Sequence, residues 1–572
     1  MRWIINIFTS YLRIVVVMVI VFFLTPFIVS KIGMDQFGLW SLIFSIVALF
    51  GLMDLGFATA ANKYMGEFHG SGDYAGRNQV LATLLAVYIG LGLICIAVVA
   101  VVSLYAADWF HLSPELGHWF QLALWLLGGV VAINLPLNLF KAVLNGSGRM
   151  TVVNGIDMSM QLLNAALIVT LLQQGYGIRA LIFSTAATML LGPLLAMILA
   201  FLLTPKLSVS PRLFSRTRVK ELLGFSFYFF IANIAVLVIL RIDPPVIQTF
   251  MSLSAVAVYA IGAKIAEYTY YLNKQFSNAL MPLVAQSRGG GDEATIDRVL
   301  LDGTRFGMAI ALPFVALLFF YAEDIILLWM GEDFAEAVPV LRLLLGAILS
   351  TAIQLNAANV LAMNGQHRFV AFAMAGSAAL NLILSVILIQ DYGLNGVAAA
   401  TLIAAFTVEV LVIIPRACWA RGVSLWRFFR RALWPVLPAL VPALGVAWGL
   451  DQLQPSADGF LWIILEGGGA ALIYFAGFYV TGMKPEERAF IGSKLKLPRR
   501  RPPRRRRNEG APGLTIFLYL LSGISVLSGL ILAIVFWPEG PHHGLTAYVL
   551  PITWIIAGVV SFAIFAALGR IF

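Results

Sequence analysis

Several ionisable side chains of this 572-residue chain fall inside long apolar stretches. There each charge costs about 2.5–3.5 kcal/mol or more to insert, so the residues that carry one need a reason to be there. Arg13, Asp54 and Asp157 lie in the first part of the chain, and Arg241, Asp243, Lys264, Glu267, Lys274 and Arg342 in the second. Lys264, Glu267, Tyr268, Tyr271, Lys274, Gln275 and Asn278 recur at intervals of three and four, which places them on one stripe of a helix. Such a stripe cannot face lipid. It suits a hydrated cavity wall, where ammonium and guanidinium groups attract phosphate anions and phenol rings stack on or hydrogen-bond polar ligands. The plainer alternative is mutual neutralisation, of Lys264 by Glu267 at i and i+3, and of Arg241 by Asp243. For Arg13, Arg241, Lys264 and Lys274 the cavity reading is preferred, because unpaired cations inside a membrane are seldom structural.

For Asp54 the preference reverses. It sits in Gly51-Leu52-Met53-Asp54-Leu55-Gly56, where flanking glycines suggest a bent helix segment whose freed amides the carboxylate caps. Pro26, and Pro244 with Pro245, remove backbone donors near the outer ends of two corresponding stretches, as a hinge or as an inert helix end. Glu409 and Glu466 are single acids in apolar surroundings; either could titrate, and either could simply stay protonated.

The elements that must position these residues follow from composition. Hydrophobic residues make up 60% of the chain and charged residues 12%, with a mean hydropathy of +0.91, which rules out a soluble protein. Sixteen stretches are long enough to cross a bilayer. They cover about 8–30, 38–60, 79–104, 118–140, 152–173, 179–203, 223–249, 254–285, 304–329, 337–362, 369–390, 394–415, 432–450, 459–482, 513–537 and 546–569. The first is too long for a secretory signal and is expected to stay in the membrane. With both termini cytoplasmic, the inner segments hold 31 Lys and Arg and the outer loops only Lys31 and Arg179.

The formal charge of +10 is concentrated between residues 484 and 509, where eleven Lys and Arg meet three Glu. That run lacks interleaved aromatics and lies between two apolar spans. It is expected to be a phospholipid-facing cytoplasmic linker, not a nucleic-acid site. Cys95 and Cys418 are too few and too far apart for a disulfide framework or a metal site. No metal or cofactor is expected. The paired His542 and His543 have no third ligand nearby and suit an exposed turn.

Residues 34–73 overlay residues 253–292 without a gap at an offset of 219, both ending on Gly-Asp. The same offset carries Pro26 onto Pro245 and Asn145-Gly146 onto Asn364-Gly365; further on, Tyr176-Gly177 meets Tyr392-Gly393. An all-α integral membrane fold of two parallel six-helix repeats follows, 1–204 and 221–420, joined by a basic cytoplasmic linker at 205–220. Spans 13–14 occupy 421–482, a second basic linker 483–512, and a two-helix module 513–572. Parallel repeats of this kind bind substrate at their interface and rock about it. The positions matching Lys264 and Glu267 in the first repeat are Ser45 and Ala48, so duplication alone did not place those charges.

Gln36-Phe37-Gly38-Leu39-Trp40, Asp54-Leu55-Gly56 and Gly72-Asp73 resemble the polysaccharide flippases, the O-antigen and exopolysaccharide exporters of the MATE-like superfamily. Leu328-Trp329-Met330-Gly331-Glu332-Asp333-Phe334 and Ala337-Val338-Pro339 are similar to that family's second-repeat turn. The resemblance covers about residues 1–482. It implies a bacterial inner-membrane protein that moves polyprenyl-diphosphate-linked oligosaccharide to the outer leaflet by alternating access. Proton or sodium coupling is left open, and bending of the first helix would belong to gating. It further implies that Arg13, Arg241, Lys264 and Lys274 receive the diphosphate, with Glu267, Tyr268 and Tyr271 lining the same wall. Residues 513–572 fall outside the resemblance and could dock a polymerase or chain-length regulator.

Two other classes compete. A multidrug or cation antiporter of the same superfamily should have an acidic, aromatic cavity, whereas bases outnumber acids here. A membrane polymerase or other enzyme should have a sizeable external loop or a phosphate-cradling motif, and neither is present.

Overall fold

The computed structural model describes residues 2–289, 292–453 and 460–489. The basic run beyond residue 489, the two spans expected within 513–572 and the His542-His543 turn lie outside the described residues. The described chain is helical, with no β-strand. It divides into two compact units, one of residues 2–233 with Ser252–Ala257 and one of Ile234–Met251 with the described residues from Val258 onward.

The first unit holds α1 (Arg2–Phe50), α2 (Phe57–Ser71), α3 (Tyr74–Trp109), α4 (Pro114–Gly146), α5 (Met150–Gln173) and α6 (Ile178–Leu203). The start of α7 (Arg216–Arg241) also belongs to it. The second unit holds the end of α7, α8 (Asp243–Phe250), most of α9 (Leu253–Gly289), α10 (Glu293–Arg298), α11 (Thr304–Phe320), α12 (Ala322–Met330) and α13 (Ala337–Leu361). It continues through α14 (His367–Ala405), α15 (Ile414–Ala420), α16 (Leu425–Ala432), α17 (Leu440–Leu453) and α18 (Phe460–Thr481).

Among the described residues, seven helical stretches are long and apolar enough to cross a membrane, or eight with the bent pair Phe230–Arg241 and Asp243–Phe250 counted as one. This is a multi-pass membrane protein. The number is below the expected sixteen partly because neighbouring spans run together. Leu12–Asp54 takes in most of the first two, and Ala337–Ala420, 84 residues long, contains the tenth to twelfth. Glycines in conformations that L side chains rarely adopt separate them: Gly33 (φ 78°, ψ 171°) within α1 and Gly393 (φ 55°, ψ −133°) within α14.

The duplication is visible in backbone geometry. Gly177, which precedes α6, has φ 54° and ψ −139°, nearly the angles of its counterpart Gly393. Both Gly-Asp landmarks start helices: the Asp73 carboxylate accepts from Gly76 N at 2.8 Å, and that of Asp292 from Thr295 N at 3.0 Å.

The linker after α6 is fastened along the start of α3. Arg77 donates to Pro205 O (3.0 Å), Asn78 to Lys206 O (2.9 Å), and Ser215 N to the Thr83 hydroxyl (3.2 Å). At its end, Glu221 accepts from Arg218 at 2.8 Å and from the Tyr64 hydroxyl at 3.0 Å. Those bonds, the Arg218 one foremost, hold the Glu221 carboxyl below its ordinary range. Burial and the neighbouring Glu221 push Tyr64 up to about 12.

Candidate functional site

The second unit assembles most of the charged stripe. Arg241 ends α7, where the helix turns by 43° into α8, and the turn brings its guanidinium to α9. Nη1 donates to Glu267 Oε2 at 3.2 Å, Nη2 donates to Oε1, and the Tyr271 hydroxyl adds a bond of 2.9 Å to Oε1. A two-pronged, charge-assisted pair of this kind fixes geometry as well as charge. The partners differ from the simple neutralisation the sequence offered as an alternative. Arg241 pairs with Glu267 rather than Asp243, because α9 presents a carboxylate to the end of α7 while Asp243 turns into the start of α8.

Lys264, one turn before Glu267, is half-buried and forms no ion pair or hydrogen bond among the described residues, although it lies within electrostatic reach of Glu267 and Arg241. Lys274 lies over the Tyr270 ring at 5.3 Å, also with no carboxylate partner among the described residues, and Tyr270 and Tyr271 are 5.5 Å apart. Tyr268 is half-buried on the same stripe. With one acid against three bases, the group has two basic side chains in excess, Lys264 and Lys274, once Arg241 is matched.

In the first unit, Arg13 lies 3.9 Å from Asp157, and Lys141 Nζ holds the other Asp157 oxygen at 2.8 Å. Two cations share one acid. Lys141 was missed by the sequence reading, in which span four ends at residue 140. Helix α4 continues to Gly146 and carries Lys141 alongside α5. A helical pattern extended by one turn would have found it.

The Asp54 carboxylate accepts from Ala58 N (3.2 and 3.3 Å) and from the Tyr88 hydroxyl, beside a break at which Leu55 and Gly56 both have positive φ. The residue matching it at the offset of 219, Asn273, behaves differently. α9 is unbroken there, and the Asn273 amide donates to Thr269 O at 3.1 Å. Pro26 is not a helix end: α1 continues through it, and Gly33 is the first non-helical residue. One residue before Pro26, the Thr25 hydroxyl donates to Val21 O at 2.7 Å. Pro244 and Pro245 occupy the first turn of α8, where a missing amide hydrogen is harmless.

A second polar group is buried where α8, α9 and α14 meet in the second unit. Asp243 accepts from the Tyr259 hydroxyl and lies beside Thr401, to which Asn381 donates at 2.8 Å. Among the described residues, Asp243 Oδ1, Asn381 Oδ1 and Ser385 Oγ have no hydrogen-bond partner, although all three side chains are buried. One carboxylate among neutral oxygens suits a hard monovalent cation; among the described residues no cluster of His, Cys, Asp or Glu suits a transition metal. Arg342, half-exposed and 3.9 Å from Glu323, belongs to neither group.

The family described as polysaccharide biosynthesis protein matches residues 32–339, more than half of the chain. The chain belongs to that family. The chain is 24% identical over 438 residues to the probable low-salt glycan biosynthesis flippase Agl15 of Haloferax volcanii. The match covers 75% of this chain and 85% of that one. In fold it is similar to the lipid II flippase MurJ in an inward closed conformation, with a TM-score of 0.63 at 16% identity, covering 84% of this chain and 100% of that one. An inward-facing multidrug resistance MATE family transporter matches with a TM-score of 0.59 at 14% identity, covering 72% of this chain and 99% of the other.

Proposed function

We propose that the protein is a flippase that carries polyprenyl-diphosphate-linked oligosaccharide from the cytoplasmic to the outer leaflet of the bacterial inner membrane by alternating access. It is not an enzyme in this reading, and both termini are cytoplasmic, as the 31-to-2 distribution of Lys and Arg supports. Family membership and the flippase relative support the substrate class. The observation that carries the mechanism is the pair of half-buried ammonium groups, Lys264 and Lys274, that lack a carboxylate partner among the described residues. In a membrane helix such cations are costly unless an anion reaches them, and a diphosphate supplies that anion. Arg241, clamped by Glu267 and Tyr271, positions the stripe; Tyr268 and Tyr271 offer ring faces and hydroxyls to sugars. Arg13 and Lys141, sharing Asp157, form a second anion-attracting group.

The buried oxygens of Asp243, Asn381, Ser385 and Thr401 support coupling to a monovalent cation, whose charge would neutralise the one carboxylate. Asp243→Asn should remove the dependence of transport on a sodium gradient while leaving the protein inserted.

The deciding experiment is leaflet-resolved accumulation of polyprenyl-diphosphate sugars in cells lacking the protein and then resupplied with it. Build-up on the cytoplasmic leaflet, relieved by resupply, is expected. An unchanged distribution would overturn the reading and favour small-molecule antiport, the second reading, which the MATE-like fold makes reasonable and the excess of buried bases opposes.

A further inference from the structure

The inner end of the second unit carries a surface that the transport reading does not use. α16 is short and two-faced. Phe428 and Ala432 are fully buried against Val299, Leu300 and Leu301, and the Ser424 hydroxyl caps the helix by accepting from Arg427 N at 3.2 Å. Two arginines fix it from within. Arg421 reaches Asp297 at 2.7 Å and also Glu293, and Arg431 donates to both Asp302 oxygens at 3.1 and 3.0 Å.

The outward face is different in kind. Trp419, Trp426 and Trp434 are 72%, 71% and 66% exposed, and Leu425 is exposed beside them. Arg427 and Arg430, one turn apart, are exposed and have no ion pair among the described residues. No Asp or Glu occurs between Glu409 and Asp451, so this face holds no acid of its own.

What covers it follows from its neighbours. Before α15, the exposed side of the chain is Ile403, Phe406, Leu411 and Val412; after α16 it is Leu437, Val441 and Trp448. The first lies on a stretch long and apolar enough to cross a membrane, the second on and just before α17, and the three tryptophans lie between them in the chain. Amphipathic indoles at the end of a membrane span sit at headgroup level, with their rings in acyl chains and their N–H groups toward water. Two arginines beside them offer planar forks that match phosphate oxygens.

We propose that the outward face of α16 is a binding site for an anionic phospholipid of the inner leaflet, with Arg427 and Arg430 on the phosphodiester and Trp419, Trp426 and Trp434 against its glycerol and upper chains. The continuity of the patch with the exposed apolar side chains of the helices before and after it selects a lipid over a soluble protein. Arg421 and Arg431, tied inward, hold the platform and do not bind the headgroup.

The test uses the full chain reconstituted into nanodiscs of phosphatidylcholine with a minor share of phosphatidylglycerol, partly delipidated, with retained lipids counted by mass spectrometry. The wild type should retain phosphatidylglycerol above its bulk share. Retention should fall by about fivefold for each arginine removed in Arg427→Gln and Arg430→Gln, and should partly return with lysine at both positions. Because both side chains are exposed, elution profile and thermal midpoint should not change. A third variant neutralises Arg499, Arg500 and Arg501 of the basic linker. No enrichment in the wild type would overturn the proposal. So would enrichment that survives the double variant and disappears in the linker variant.

Discussion

Arg241 and Glu267, 26 residues apart in sequence, form a two-pronged ion pair between the end of α7 and the middle of α9, with the Tyr271 hydroxyl completing the carboxylate's bonds. The pair is less than one-fifth exposed on either side chain. Its consequence lies one turn away. With Glu267 taken by Arg241, Lys264 keeps an ammonium that no carboxylate claims among the described residues.

Lys264→Ala should therefore abolish surface polysaccharide while leaving the protein in the membrane at normal abundance. Arg241→Ala should abolish it too, but at lower abundance, because it strands the Glu267 carboxylate; losing one member of a buried pair costs about 3–5 kcal/mol. Arg241→Ala with Glu267→Ala should recover abundance without export. Immunoblots of the membrane fraction beside polysaccharide staining read both effects. Normal export in Lys264→Ala would remove the ammonium from the mechanism.

Lys141→Ala should impair export more than Arg13→Ala. Lys141 is the nearer cation to Asp157, 2.8 Å against 3.9 Å, and its loss leaves that carboxylate with the weaker partner. Equal effects would mean that the two cations serve the substrate independently of Asp157. Export rates in the two single variants, normalised to protein level, decide.

The linker latch should respond to pH. The Glu221 carboxyl is lowered in the folded protein, so its contribution is present above the unfolded value and is lost as pH falls through the folded one. Cleavage of the 205–220 linker by a protease active in acid should accelerate over that range in the wild type. Tyr64→Phe and Glu221→Gln should be cut faster already at neutral pH, with a flatter pH response. A parallel pH response in Glu221→Gln would assign the effect elsewhere.

Gly177→Ala and Gly393→Ala should each lower the thermal midpoint by a similar amount, corresponding to about 1–3 kcal/mol. A Cβ at Gly177 would meet Gln36 at 3.5 Å, and one at Gly393 would meet Met251 at 3.6 Å. Both are ordinary contacts, so the cost is conformational and comes from the matching positive-φ geometry. A large effect at only one site would show that the two repeats use this corner differently.

Much of this architecture is legible in sequence because the bilayer imposes it. A span must be apolar along its whole length, so composition and the placement of Lys and Arg are read directly, and duplication leaves landmarks such as Tyr176-Gly177 and Tyr392-Gly393 in register. Helical periodicity likewise places Lys264, Glu267, Tyr271 and Lys274 on one face of one helix. Only the tertiary structure decided the partners. Whether Glu267 neutralises Lys264 or Arg241 depends on the bend after Arg241, which aims a guanidinium from another helix. Whether Lys141 faces Asp157 depends on where α4 ends, and helix ends are set by turns that periodicity does not encode. The first break shows the same division. Proline removes one hydrogen bond, yet α1 continues through Pro26, whereas the helix breaks at Gly33, in a backbone conformation that glycine adopts without strain.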